Sequence, residues 1–138
     1  MWRAIDLVRR RGKRHFELIE LKIASDTALY AAIEIIGYGC LWLIARNDKP
    51  SRVSALLDAD QIDLRVLAPP AYYTGFALKG VEAALDEGVR RLGQRNGAVL
   101  SFAFDLLDER IRPDAIPDDE TLLTYLDRPA SATTGGVA

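Results

Sequence analysis

Early in this 138-residue chain stand an acid, Asp6, and, fourteen positions later, the triplet Glu20-Leu21-Lys22. Two carboxylates supply hard oxygen ligands of the kind Mg²⁺ accepts, an ion that keeps several of its waters and binds substrate phosphate directly. A lysine beside such a pair could orient or deprotonate a bound water, or stabilise negative charge developing on a phosphoryl group. Phosphodiester hydrolysis needs these roles filled, and three residues are enough to fill them.

For that chemistry the three side chains must meet, which depends on the elements that carry them. Phe16 to Ile23 reads as an extended run, in which Glu20 and Lys22 project to one side while Ile19, Leu21 and Ile23 project to the other. Ala4 to Val8 is apolar around a single acid, and Arg11-Gly12-Lys13 has turn chemistry, so the two runs predict a hairpin. Asp6 lies six residues before Gly12 and Glu20 eight after it, which brings the two acids close on folding. Burying either member of the Glu20/Lys22 pair alone is costly, so a charged pair on an apolar strand calls for a reason.

The hairpin leads into Ala28 to Ala45, eighteen residues with one charge, Glu34. That length reaches the lower bound of a membrane span, but an acid near its centre costs roughly 2.5 to 3.5 kcal/mol on insertion scales, so a buried helix of a soluble protein is expected. Asp26 is the expected N-cap, and Leu29, Ile33, Ile36, Cys40 and Leu43 form the expected core stripe. Tyr30, Glu34 and Tyr38 share another stripe. If it overhangs Lys22, Glu34 is a third acid at the metal or an ion-pair partner of the lysine; otherwise Glu34 is a surface charge and Tyr38 a packing aromatic.

Asp6 followed by Glu20-x-Lys22 on the next strand resembles the signature of the PD-(D/E)xK nuclease superfamily. The resemblance implies that Asp6 and Glu20 bind Mg²⁺ and that Lys22 assists the attacking water. RecB-like members carry Gln-x-x-x-Tyr on the following helix, and Glu34-Ile35-Ile36-Gly37-Tyr38 has the tyrosine and the spacing, with glutamate in place of glutamine. The proline usual before the aspartate is replaced by Ile5, and the helix and strand that open the family core are not found in the five residues ahead of Asp6. Either they lie upstream, or a partner chain supplies them, or the hairpin forms an open sheet edge.

A formal charge of −2 gives no global attraction to nucleic acid, so any electrostatic footprint is local. Arg3, Arg9, Arg10, Arg11, Lys13 and Arg14 place six of the eighteen basic residues around the hairpin turn, where they could neutralise DNA phosphates. A solvated turn that protects an edge strand from aggregation explains them equally well. The acids after residue 104, Asp127 among them, mark a region expected to avoid DNA. Cys40 stands alone and gives neither disulfide nor zinc site. His15, the one histidine, reads as a hairpin-surface residue, a phosphate contact being the alternative. With no signal peptide pattern, a cytoplasmic protein is expected.

Asn47-Asp48-Lys49-Pro50 is a break, with a short helical turn expected over 53–57. Ile62 to Ala68 then reads as a strand, Ala77 to Leu92 as an amphipathic helix capped by Gly93, and Ala98 to Phe104 as a last strand. Tyr72 and Tyr73 either stack on bases or anchor a loop. Residues 128–138 are small and polar, a flexible tail beside a single domain spanning 1–127. The expected fold is α/β in the order β-β-α-β-α-β: a mixed central sheet with an N-terminal antiparallel hairpin, restriction-endonuclease-like by resemblance. The leading function is a Mg²⁺-dependent nuclease hydrolysing DNA phosphodiester bonds. Its rivals are a non-catalytic domain of the same fold that binds nucleic acid or dimerises through the hairpin edge, and an unrelated interaction module with the three side chains scattered.

Overall fold

The computed structural model describes residues 4–24, 26–48 and 54–134; Arg3, Lys49, Pro50, Val53 and the last four residues of the tail lie outside the described residues. Strands β1 (Leu7–Gly12), β2 (His15–Leu21), β3 (Gln61–Ala68) and β4 (Val99–Leu106) form one sheet in the order β1-β2-β3-β4. β1 and β2 are antiparallel, while β2, β3 and β4 run parallel. Helices α1 (Ala28–Asp48), α2 (Leu78–Arg95) and α3 (Asp119–Asp127) complete an α/β domain with a mixed sheet. The expected order of elements is found, with α3 beyond it.

Register assigns the faces. Phe16, Ile62 and Leu100 align, then Leu18, Leu64 and Phe102, then Glu20, Val66 and Phe104. This front face carries the main core, closed by α1 and α2. The alternate residues form a back face where Glu17, Asp63 and Ser101 align, followed by Ile19, Arg65 and Ala103. Apolar side chains dominate the front, and charges interrupt the back.

α1 meets the sheet through Ala28, Ala31, Ala32, Ile35, Gly39, Trp42 and Leu43. This corrects the expected stripe, because Leu29 and Ile33 are exposed and only Leu43 of that set is buried. In a helix apolar nearly all round, period alone does not choose the buried face; close approach does. The small residues allow it, and a Cβ at Gly39 would come within 2.8 Å of Leu64 Cδ1. By length and composition α1 could cross a membrane, but here one face of it packs on β2 and β3.

Two caps also differ. Thr27, not Asp26, caps α1, its Oγ1 accepting from the Tyr30 amide at 3.2 Å. Asp26 adopts a left-handed conformation with φ 66°, which short polar side chains tolerate. Gly93 lies inside α2 rather than capping it, and a Cβ there would come within 2.8 Å of the Ala98 carbonyl oxygen. The chain leaves α2 through Asn96 and Gly97, whose φ is 66°.

The two sheet edges are treated differently. On β4, the Phe102 amide donates to Asp86 and the Phe104 amide to Glu82, each at 2.8 Å. The segment after Arg128, expected to be flexible, adds to this edge: Leu106 N donates to the Ala130 carbonyl at 2.8 Å and Ala132 N to the Phe104 carbonyl at 2.9 Å. Ala132 is buried. Among the described residues, the outer edge of β1 has no such partner.

Candidate active site at the end of the hairpin

Glu20 is the last front-face residue of β2, in register with the fully buried Val66 and Phe104, and it is 4% exposed. Just past the strand end, Lys22 turns its amine back to Glu20, with Nζ 3.0 Å from Oε1. The same nitrogen lies 3.5 Å from Asp26 and 3.5 Å from Glu34 of α1. The lysine is therefore the hub of three carboxylates drawn from a strand, a loop and a helix. Its amide donates to the Leu67 carbonyl at 3.0 Å, which ties the hub to β3.

Asp6 precedes β1 and is exposed. Its carboxylate accepts from the Leu21 amide at 2.9 Å, prolonging the ladder by one bond, and its charge acts on Glu20. The hairpin thus brings Asp6, Glu20 and Lys22 to one end of the sheet. Glu34 joins them as a partner of Lys22 within hydrogen-bonding reach of Glu20. Tyr38 packs against the main core and makes no hydrogen bond to this cluster among the described residues.

The electrostatics follow from burial. Desolvation pushes the Glu20 carboxyl up to about 7; the hydrogen bond from Lys22 opposes this, while the Glu34 carboxyl and the Asp6 charge reinforce it. Burial alone would lower the Lys22 amine, but Glu20, Glu34 and Asp26 together outweigh it and hold it above its usual range. Lys22 is consequently a fixed cation at neutral pH, suited to donating and to stabilising charge rather than to taking a proton.

A neighbour that the sequence weighed only as a base-stacking or loop residue belongs here. Tyr72 has a hydroxyl that is buried without a hydrogen-bond partner among the described residues, and Lys22, Asp26, Glu20 and Glu34 all act on it electrostatically. Leaving a buried hydroxyl unpaired costs about 1–3 kcal/mol, so an unpaired donor beside a charged cluster points to function. Tyr73 is the loop anchor, its hydroxyl shared between the carbonyls of Val66 at 3.1 Å and Asp105 at 2.8 Å. Motif spacing cannot find Tyr72, because it reaches the cluster from a separate 3₁₀ turn, Pro70–Tyr73.

Among the described residues, no three of His, Cys, Asp and Glu are grouped closely enough to encage a bare ion. The donor set fits a hydrated hard dication instead, since Mg²⁺ is commonly held by one or two carboxylates with water completing its shell. A carboxyl raised chiefly by burial, with neighbouring acids adding to it, is also a place where added positive charge is favourable. No family model, no curated protein and no solved structure matches the chain. The assignment therefore rests on residues and geometry.

The hairpin arginines are largely engaged within the protein. Arg9 pairs with Asp127 and donates to the Leu126 carbonyl at 2.5 Å. Arg11 bridges Glu17 at 3.2 Å and Asp127 at 3.7 Å, and Arg14 meets Asp60 at 2.5 Å. Folding thus carries acidic α3 onto the basic hairpin, although the two lie at opposite ends of the chain. Arg10 stays exposed, bonded to the carbonyls of Gly12 and Lys13 and lying over the Phe16 ring; Lys13 is exposed at the turn. His15 is not a free surface group, because its Nε2 is 2.7 Å from Asp63 on the back face.

Proposed function

We propose that this protein is a Mg²⁺-dependent nuclease of the PD-(D/E)xK type, RecB-like and restriction-endonuclease-like in fold, that hydrolyses DNA phosphodiester bonds in the cytoplasm. The observation that carries this reading is the convergence of Asp6, Glu20 and Lys22 at one sheet end, with Glu34 locking the lysine from α1. Asp6 and Glu20 would hold the ion, which when bound neutralises charge on the phosphoryl oxygens and acidifies a water. Lys22, kept protonated, donates to the oxygen on which negative charge grows. Glu34 and Asp26 fix the amine in place, so little rotational freedom is lost as substrate arrives. The unpaired Tyr72 hydroxyl gives a second donor to a phosphate oxygen. Arg10 and Lys13, exposed cations of the turn that form no ion pair among the described residues, would meet the DNA backbone.

A second reading has its own observation. Lys22 is held by three carboxylates and most hairpin arginines are engaged internally, as in a domain that keeps the fold without the chemistry. Such a domain would bind nucleic acid or pair with a second copy along the free β1 edge. Cleavage of supercoiled plasmid and of single-stranded DNA with and without Mg²⁺ separates the two. Wild type is expected to cut, and Glu20→Ala and Lys22→Ala each to lose about 10²-fold or more in rate, the size typical of removing a transition-state donor or acid–base group. Activity surviving both changes would exclude this site as its source.

A further inference from the structure

The back face of the sheet carries a groove unrelated to the nuclease reading. It lies between that face and α3 and measures about 660 Å³, a size typical of small-molecule sites. Its walls are aliphatic, with Leu7, Ile19 and Leu67 from the sheet and Leu126 from α3. Its charged lining is Arg9 and Arg65 with Glu17, Asp105, Glu120 and Asp127, and Arg11 and Asp63 stand just outside it as ion-pair partners of Glu17 and Arg65. Carboxylates outnumber guanidinium groups, and among the described residues Asp105 and Glu120 receive no hydrogen bond from an arginine.

Arg9 is taken by Asp127 and the Leu126 carbonyl, and Arg11 by Glu17 and Asp127. Arg65 spends its terminal nitrogens on Ser101 Oγ at 3.2 Å and the Leu64 carbonyl at 2.9 Å and shares its charge with Asp63 at 3.8 Å, so Asp105 has only a long ion pair to its Nε at 3.9 Å, beyond hydrogen-bonding distance. Among the described residues no donor is bonded to the Asp105 carboxylate, although its side chain is only 15% exposed and lines the groove. Desolvation accordingly pushes this carboxyl up to about 6, with Arg65 opposing and Glu17 and Glu82 reinforcing. An anionic ligand would have to displace an existing carboxylate from an arginine. A neutral apolar ligand would leave Asp105 as exposed to low dielectric as before.

We infer that this groove binds a small organic cation with an apolar body, an alkyl- or arylammonium, whose head is received by Asp105 and whose body lies on Ile19, Leu67 and Leu126. The ammonium supplies the missing donor, and the aliphatic walls take the chain. Binding then requires ionised Asp105 and weakens as pH falls through about 6. The charged groups that act on Asp105 are Arg65 on β3, Glu17 on β2, Glu82 on α2 and Arg11 on β1, and Arg9 on β1 with Glu120 and Asp127 on α3 line the same groove.

Calorimetry and methyl NMR on the full chain with n-hexylammonium, 1-hexanol and hexanoate test this. At pH 7.5 hexylammonium is expected to bind about tenfold or more tightly than 1-hexanol, the equivalent of one charge-assisted hydrogen bond, and hexanoate not at all. The methyl resonances of Ile19, Leu67 and Leu126 are expected to shift. Asp105→Asn should bring the amine and the alcohol to within about twofold of each other. Should that variant not fold, wild type at pH 5 is expected to lose most of its preference for the amine. Equal affinity for amine and alcohol in wild type at pH 7.5, or shifts confined to other methyl groups, would overturn the inference; so would a preference unchanged both in Asp105→Asn and at pH 5.

Discussion

Glu20 and Asp63 are both buried carboxylates on central strands of one sheet, on opposite faces, and they are treated in opposite ways. Asp63 receives Ser101 Oγ and His15 Nε2, each at 2.7 Å, with Arg65 at 3.8 Å. Burial alone would raise it, but these partners outweigh burial and hold it below the ordinary carboxylate range. Glu20 has Lys22, yet shares that amine with Asp26 and Glu34 and has other acids beside it, so burial prevails and its carboxyl is raised. One acid is built into the framework; the other is held at a cost, as expected of a group kept for a task.

The largest expected effect lies on the framework side. Asp63→Ala leaves His15, Arg65 and Ser101 without their shared acceptor in a part-buried setting and is expected to cost about 2–3 kcal/mol in urea unfolding at pH 7, the usual size for losing hydrogen bonds to a charged group. A loss below about 1 kcal/mol would erase the distinction between the faces.

The next test is one of sign, with EDTA present. The folded Glu20 pKa, about 7, lies above its unfolded value of 4.5, so the native state binds the extra proton between them. The stability linked to Glu20 is thus full below about pH 4.5 and is lost as pH rises through about 7. Glu20→Gln is expected to stabilise by about 2 kcal/mol at pH 8 and by almost nothing at pH 4. Asp63 is depressed, so its contribution is present above its unfolded value of 3.8 and is lost as pH falls through the folded one. Asp63→Asn should therefore cost most near neutrality and least in acid. Parallel pH profiles for the two variants would show that the faces do not differ.

The smallest effect separates two adjacent tyrosines. Tyr73→Phe removes a satisfied hydroxyl and is expected to cost about 1 kcal/mol. Tyr72→Phe removes an unsatisfied one and should leave thermal stability unchanged or raised by up to about 1 kcal/mol while slowing cleavage. Equal destabilisation by both would mean that Tyr72 is structural.

What the sequence revealed follows from how local each signal is. The Glu20-x-Lys22 spacing and the turn at Gly12 lie within one hairpin, where alternation and a short loop fix which side chains meet. Glu34 could be offered as a partner for Lys22 because helical spacing puts it on a definite stripe. The back face gave no comparable signal. Glu17, Asp63, Arg65 and Ser101 come from three strands and become neighbours only once the parallel register is known. The buried side of α1 was misassigned because leucines and isoleucines face solvent while alanines and Gly39 face the sheet, an order set by close packing rather than by hydrophobicity. Arg9 and Arg11 looked available for phosphate because the acids of α3 lie more than a hundred residues away in the chain.

The unequal finish of the two sheet margins gives this protein a valence of one. With Glu82, Asp86 and the returning C-terminal segment occupying β4, any added strand has to dock along β1. Two copies joining there would use up both free margins and leave, among the described residues, no open strand edge for a third. Edge-to-edge pairing through these strands therefore joins copies two at a time.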